Sequence, residues 1–228
     1  MKITIARQCG SGGHEVAEAL AEKLNLEIFD KKRFVEEAKK RNVYDENANF
    51  LNEKPIDSFL YSIAMSYGAT NPRDRYIDFV KELTEQENCI IIGRCANYIY
   101  RDDKDCVSVY LHADREIRCE RLQKRDQISE KEALKNIQEV DEKRAAFQEQ
   151  CTSTRWGDGN EYDLCIDTDT GRVTALMVPG PCRFLGLFGR DSDYIIPWCC
   201  IRRIGEDIIL VEGAIPGWRV LRKKRGLF

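Results

Sequence analysis

Long apolar runs are missing from this sequence. No stretch of its 228 residues approaches the ~20 apolar positions that cross a bilayer, so no membrane span is expected. No charge of one sign dominates either. The net charge of −3 provides no global reason to expect nucleic acid as a partner. Histidine is scarce, with 2 residues, and the 10 cysteines include no C-x-x-C pair. That argues against both a zinc site and a disulfide framework. Cys89, Cys106 and Cys165 instead lie in or beside apolar runs, where a reduced thiol behaves as a small hydrophobe. The chain opens as a strand rather than as a secretory signal, and a cytoplasmic protein is the expectation. What is present is ordinary for a globular chain, 33% charged and 43% hydrophobic. The length allows one large domain, or a medium one with a small companion.

One absence is local. Ile3-Thr4-Ile5-Ala6, then Arg7-Gln8-Cys9-Gly10-Ser11-Gly12-Gly13-His14, then apolar positions at Val16, Ala17, Leu20, Ala21 and Leu24 read as strand, glycine bend and amphipathic helix. This is the frame of a phosphate-binding loop, in which backbone N–H groups and a helix N-terminus meet an anion. Laid over G-x-x-x-x-G-K-S/T, however, Gly12 takes the last glycine, Gly13 falls on the lysine and His14 on the hydroxyl residue. From the loop alone, a plain tight turn between strand and helix stands beside the phosphate-binding reading.

The rest of the chain supplies context. Leu26–Phe29 reads as a short strand and Lys31–Arg41 as a charged helix. Asn42–Pro55, rich in asparagine, reads as loop, and Ile56–Tyr67 and Arg73–Glu87 as helices around a Gly-Ala-Thr-Asn-Pro breaker. Cys89–Gly93 and Val107–His112 are continuous apolar runs, the pattern of parallel strands covered on both faces. Asp114–Arg125 and Ser129–Gln150 are helical, the second opened by a Ser129/Glu132 capping box. Thr152–Glu161 reads as loop, and Tyr162–Asp167 as the last strand of the sheet. From Thr168 the chain turns to short β runs, at Arg172–Val178, Tyr194–Trp198 and Ile208–Val211, a small antiparallel unit. Trp198 and Phe188 read as its core, and Arg219–Arg225 as a solvated basic tail.

With the strands in place, residues 1–167 resemble the cytidylate kinase-like family of P-loop proteins. The carrying words are Ile3–Gly13, Phe29-Asp30-Lys31, Asn52-Glu53-Lys54-Pro55, Ile92–Ala96, Val140-Asp141 with Arg144, and Trp156-Gly157-Asp158. The resemblance implies a P-loop NTPase-like three-layer α/β fold with a five-stranded parallel sheet, and a family that tolerates a loop without lysine. It implies phosphoryl transfer from ATP, with magnesium, to a nucleoside monophosphate, CMP or dCMP. Residues from about Asp163 to Val211 resemble the YlmC/YmxH-type PRC-barrel proteins through Asp169-x-Gly171-Arg172-Val173, Val178-Pro179-Gly180, Phe184–Arg190 and Ile195–Trp198. Only the latter part of such a module is covered. Such modules imply association with a partner protein or a second copy of the chain. The expected organisation is therefore 1–167 kinase-like, 168–213 a partial PRC-barrel-like appendage, and 214–228 the tail. Tyr162–Asp167 suits both families. It is expected to stay with the kinase-like sheet, with no helix directly after Asp167.

Candidate residues follow from position. Phosphoryl transfer needs no protein nucleophile, only phosphates held in line within positive charge. Backbone amides of Gly10, Ser11, Gly12, Gly13 and His14 are the donor-phosphate candidates, with the Ser11 hydroxyl. Neutral His14 does not replace an ammonium, and a solvent-facing helix start suits it as well. Asp30 suits an acceptor pocket or a helix N-cap. Arg94 follows a strand and a glycine at the carboxyl edge of the sheet, where such sheets bind ligands, and the resemblance makes it an acceptor-phosphate arginine. Arg118, Arg121 and Arg125 share a helix face. The resemblance puts that face at a lid over the donor, with Arg121 toward substrate; solvated pairing with Glu116, Glu120 and Asp126 is the competing reading. By the same resemblance, Asp141 and Arg144 are a lid-side pair, catalytic with Arg94 and Arg118. Lys143 could supply the charge the loop lacks. No metal ligands are assigned. Beside the kinase stands a second function, a nucleotide-binding module without turnover whose appendage mediates association.

Overall fold

The computed structural model describes residues 1–54, 71–85, 87–169, 175–178, 194–197, 200–204 and 209–211. The chain divides into two compact units, Met1–Arg172 and Val173–Phe228.

The first unit is built on strands β1 (Lys2–Arg7), β2 (Glu27–Phe29), β3 (Cys89–Ile92), β4 (Cys106–His112) and β5 (Leu164–Asp167), in the order β2-β3-β1-β4-β5. Every pairing is parallel. Period-two alternation sends neighbouring residues of one strand into different cores. Ile90 and Ile92 join Ile3, Ile5, Val109 and Leu111 against Ala17 of α1 (Gly13–Leu24). Cys89 and Ile91 join the other face, under Phe34 of α2 (Lys31–Lys40), Phe50 of α3 (Tyr44–Leu51), Tyr76 and Val80 of α4 (Pro72–Thr84) and Phe147 of α6 (Glu130–Thr152). Helices thus cover both faces, which explains why these strands read as unbroken apolar runs.

Helix α3 corrects the expectation of a loop over 42–55. Val43, Asn47, Phe50 and Leu51 fall at helical spacing. Phe50 and Leu51 are buried, and Phe50 stacks on Tyr76 with ring centroids 4.9 Å apart. Asn47 is buried too, but its amide donates to the Val43 carbonyl at 3.0 Å. Tertiary burial of one face outweighs the low helix propensity of asparagine. The helices α5 (Arg115–Asp126) and α6 start as expected. At α6 the capping box is complete: Ser129 Oγ accepts from the Glu132 N–H, and the Glu132 carboxylate accepts from the Ser129 N–H at 3.0 Å.

Strand β5 pairs with β4 through Val109↔Leu164 to His112↔Asp167, so the junction strand belongs to the parallel sheet. Thr168 and Asp169 after it are not helical. The Thr168 N–H continues the ladder by donating to the His112 carbonyl at 2.9 Å.

The second unit contains two antiparallel pairs, β6 (Ala175–Val178) with β7 (Tyr194–Pro197), and β8 (Ile201–Ile204) with β9 (Ile209–Val211). Strand β8 was not anticipated. The helix expected at Ile56–Tyr67, the core roles of Phe188 and Trp198, and the basic tail lie outside the described residues. Among the described residues no helix is long and apolar enough to cross a membrane.

Candidate functional site

Strands β1 and β3 lie side by side, yet the chain leaves them toward opposite edges of the sheet, β1 toward β2 and β3 toward β4. The crevice beyond the carboxyl ends of such a pair is where open α/β sheets bind ligands. Two loops meet there, Gln8–Gly12 after β1 and Gly93–Cys95 after β3.

The first loop is braced from below. Ser11 is buried and its hydroxyl donates to the Gln8 carbonyl at 2.9 Å. Gly10 and Gly12 have φ of +79° and +78°, a region open to glycine at little cost. A Cβ on Gly10 would stand 2.7 Å from the Arg118 carbonyl oxygen, so both conformation and space require glycine there. Asp141 of α6 accepts from the Cys9 N–H at 2.7 Å and from Arg118 Nη1 at 2.6 Å. Arg118 Nη1 also reaches the Cys9 carbonyl, at 3.3 Å. On the far side, Thr168 Oγ1 donates to the Ser11 carbonyl at 2.9 Å, and Arg121 donates to Thr168 Oγ1 at 3.0 Å. Helices α5 and α6 and the end of β5 therefore hold one five-residue bend.

The second loop is strained. Gly93, Arg94 and Cys95 all have positive φ, +74°, +65° and +56°. For the two residues with side chains this costs roughly 1–2 kcal/mol each, and such outliers gather at functional sites. The turn sends Arg94 inward. Its side chain is 2% exposed and Nη1 meets Glu53 Oε1 and the Phe50 carbonyl, each at 3.2 Å.

Two clefts open at this crevice. The larger is lined by Gly10, Gly12, Gly13, His14, Glu15, Arg121 and Arg125 among others. The smaller, a narrow one, is lined by Glu53, Arg94, Asn97, Gln148 and Trp156 among others. Arg7 and Arg144 line both. Arg144 Nη1 donates to the Arg7 carbonyl at 2.9 Å. Four guanidiniums, of Arg7, Arg94, Arg118 and Arg144, face two carboxylates, Asp141 and Glu53. Nε of Arg94 and Nε of Arg144 are buried without a partner. Burial pushes Arg7 down to about 9, with Arg144 and Arg94 adding repulsion that Glu53 partly offsets. Lys31 is also lowered, by burial first and then by Arg94 and Lys143, so the positive potential extends beyond the clefts. Four guanidiniums against two carboxylates leave an excess of positive charge at the crevice.

Of the residues expected from sequence, Gly10, Gly12, Gly13 and His14 line the larger cleft, His14 exposed; Ser11 does not, because it is buried and its hydroxyl is given to the Gln8 carbonyl. Arg94 and Arg144 line the smaller one. Arg121 lines the larger cleft with the glycine loop, not the one that holds Arg94. Arg118 and Asp141 line neither; they brace the loop from behind. The Asp30 carboxylate caps α2 by accepting from the Arg33 N–H at 2.9 Å and lines neither cleft. Arg125 pairs with Asp126 at 2.7 Å, and Lys143 is exposed. Arg7 and Glu53 were missed. Both stand in the words quoted above, and the only local signal is that Arg7 ends the strand at the loop.

The cluster fits a polyphosphate. Among the described residues no group of three or more His, Cys, Asp or Glu could hold a metal ion, and His14 stands where the ordinary loop has a hydroxyl residue.

Fold and loop together define a P-loop α/β protein of the kinase type. A model of the cytidylate kinase-like family matches residues 2–170, and the chain belongs to that family. It is 30% identical over 140 residues to a cytidylate kinase of Sulfolobus acidocaldarius, covering 60% of this chain and 68% of the relative. A solved structure of an uncharacterized protein from Eubacterium ventriosum superposes with a TM-score of 0.55 at 27% identity, over 73% of this chain and 87% of that one. The C-terminal part is similar to the probable sporulation protein YlmC of Bacillus subtilis, 40% identical over 58 residues, 25% of this chain and 72% of the relative.

Proposed function

We propose that the first unit transfers a phosphoryl group from ATP to a nucleoside monophosphate, with CMP or dCMP as acceptor. The observation that carries this reading is the guanidinium pair, Arg7 and Arg144, shared by a glycine-loop cleft and an arginine-lined cleft. Transfer between two nucleotides asks for this: one phosphate chain on each side and positive charge where the group passes. The donor chain lies on the N–H groups of Gly10, Gly12, Gly13 and His14; that of Ser11 is given to the Gln8 carbonyl. The acceptor phosphate meets Arg94, fixed by Glu53 and the Phe50 carbonyl. Arg144 bridges the two, while Arg118 and Asp141 act by positioning the loop. Asp30 positions α2 as its N-cap, and Arg121 steadies Ser11 through Thr168. ATP arrives with magnesium held by its own phosphates, and no step is assigned to the ion.

The C-terminal segment expected at 168–213 acts, from Val173 where the second unit begins, as a PRC-barrel-like association module for a partner protein or another copy of the chain, ending in the tail at 214–228. The reading is supported by similarity to YlmC. The setting is cytoplasmic.

A coupled assay for ADP release, with ATP and each monophosphate in turn, tests the proposal. Turnover with CMP or dCMP is expected, falling at least 100-fold in Arg94→Ala, since a lost charged contact in a desolvated site costs about 3 kcal/mol or more. The second reading, nucleotide binding without turnover, is favoured by one feature, glycine at the lysine position. Saturable ATP binding with no ADP release would establish it.

A further inference from the structure

The lysine of an ordinary P-loop is replaced by Gly13, and the space it leaves is not empty. A Cβ built on Gly13 would stand 2.6 Å from Cγ and 3.1 Å from Cβ of Arg7. A Cβ built on Gly93, across the crevice, would overlap Arg7 Nη1. The Arg7 side chain therefore threads between the two loops, and it does so only because both flanking positions lack a side chain. Moving the stem of a side chain is costly where moving its tip is cheap, so the contact at Gly13 is the restrictive one. A residue of any size at position 13, lysine included, excludes Arg7 from this path.

The end of that path is unusual for a half-buried cation. Arg94 has Glu53 and Arg118 has Asp141. Arg144 has the Arg7 carbonyl. The Arg7 guanidinium has neither a hydrogen bond nor an ion pair among the described residues. It also points where Arg94 and Arg144 repel it. A charge kept half-buried, unpaired and among like charges raises the free energy of the unliganded protein. A polyphosphate supplies the missing pair and offsets the repulsion.

We infer that Arg7 delivers, from the end of β1, the phosphate-binding cation that a loop of this kind ordinarily carries as its own lysine. The inference rests on the reading that the loop takes a polyphosphate. Since Arg7 lines both clefts, its guanidinium contacts the phosphoryl oxygens at the point where the group passes between them. Glycine at position 13 is then not a lost function but the condition for an arginine entering from the strand. His14 and Lys143 carry no part of this charge.

The test uses the full chain and two probes, ATP and inorganic tripolyphosphate, titrated calorimetrically. Four proteins are compared: the parent, Arg7→Ala, Arg7→Lys, and the double variant Arg7→Ala with Gly13→Lys. Arg7→Ala is expected to weaken both probes by about 10- to 100-fold, the equivalent of one charged hydrogen bond. Arg7→Lys retains most of the affinity. The double variant binds more tightly than Arg7→Ala, because losing Cγ removes the 2.6 Å overlap with a lysine in the loop and leaves only the 3.1 Å approach of the residue 7 Cβ. Thermal unfolding accompanies each titration. Because Arg7→Ala removes a repelled cation, its unliganded midpoint should not fall. A clear fall would mark a packing role and overturn the inference. Parent-like ATP affinity in Arg7→Ala, with the parent binding normally, would also overturn it while leaving the kinase reading intact. A parent that binds tripolyphosphate through Arg7 but ignores ATP would sustain the inference and remove the nucleotide reading. A parent that binds neither probe would remove both.

Discussion

Asp141→Ala is the perturbation that the geometry of the loop makes most quantitative. The carboxylate accepts two short bonds, from the Cys9 N–H at 2.7 Å and from Arg118 Nη1 at 2.6 Å, with Arg144 Nη1 3.9 Å away. The side chains of Asp141 and Arg118 are 17% and 9% exposed, so water replaces little of what is removed. Hydrogen bonds to a charged group contribute about 1.5–3 kcal/mol each, and breaking a buried pair from one side costs about 3–5 kcal/mol. These terms overlap, so the expected loss is about 3–5 kcal/mol. For a chain of this size that corresponds to a fall of roughly 6–20 °C in the unfolding midpoint. Circular dichroism melts of the full chain measure it. Asp141→Asn keeps an acceptor for Cys9 and should lie between parent and alanine variant. Tripolyphosphate should recover part of the loss, since an anion compensates the cations that Asp141 leaves behind. A loss below about 1 kcal/mol would show that the pair is solvated and would refute the account of a braced loop.

Two further outcomes are expected. Gly10→Ala forces a side chain into positive φ, with its Cβ 2.7 Å from the Arg118 backbone; a loss of about 2–4 kcal/mol and weaker ATP binding should follow, and parent-like urea unfolding would contradict the geometry. Burial pushes the Cys89 thiol up from 9.0 to about 11. Between those values the unfolded chain has released a proton that the folded one keeps, so stability falls as pH rises through that window. Urea midpoints at pH 8 and pH 11 should differ less in Cys89→Ala than in the parent.

Much of the first unit was legible because its signals are local. The apolar runs at Cys89–Gly93 and Val107–His112, the period of α1 and the Ser129/Glu132 box each report on neighbours within a turn or a strand. Helix α3 was not legible because its helical face is defined by Tyr76 and Phe147, which pack on it from far along the chain. The site divides in the same way. Arg94 was found because it follows a strand and a glycine at the edge where ligands bind. Arg7 was passed over because what distinguishes it is a gap shared by Gly13 and Gly93, and no pattern near residue 7 records that gap.

The sequence by itself determined the order of strand, bend and helix, the two-sided sheet and the stock of arginines around the loop. Only the tertiary structure decided which of those arginines face a cleft and which brace the backbone. Arg118 and Arg121 are one helical turn apart, yet one is committed to Asp141 and the other to Thr168. Periodicity puts a side chain on a face. Whether its charge is spent on a carboxylate or left for a ligand depends on partners brought close by folding, such as Asp141 beside Cys9, 132 residues apart in the chain.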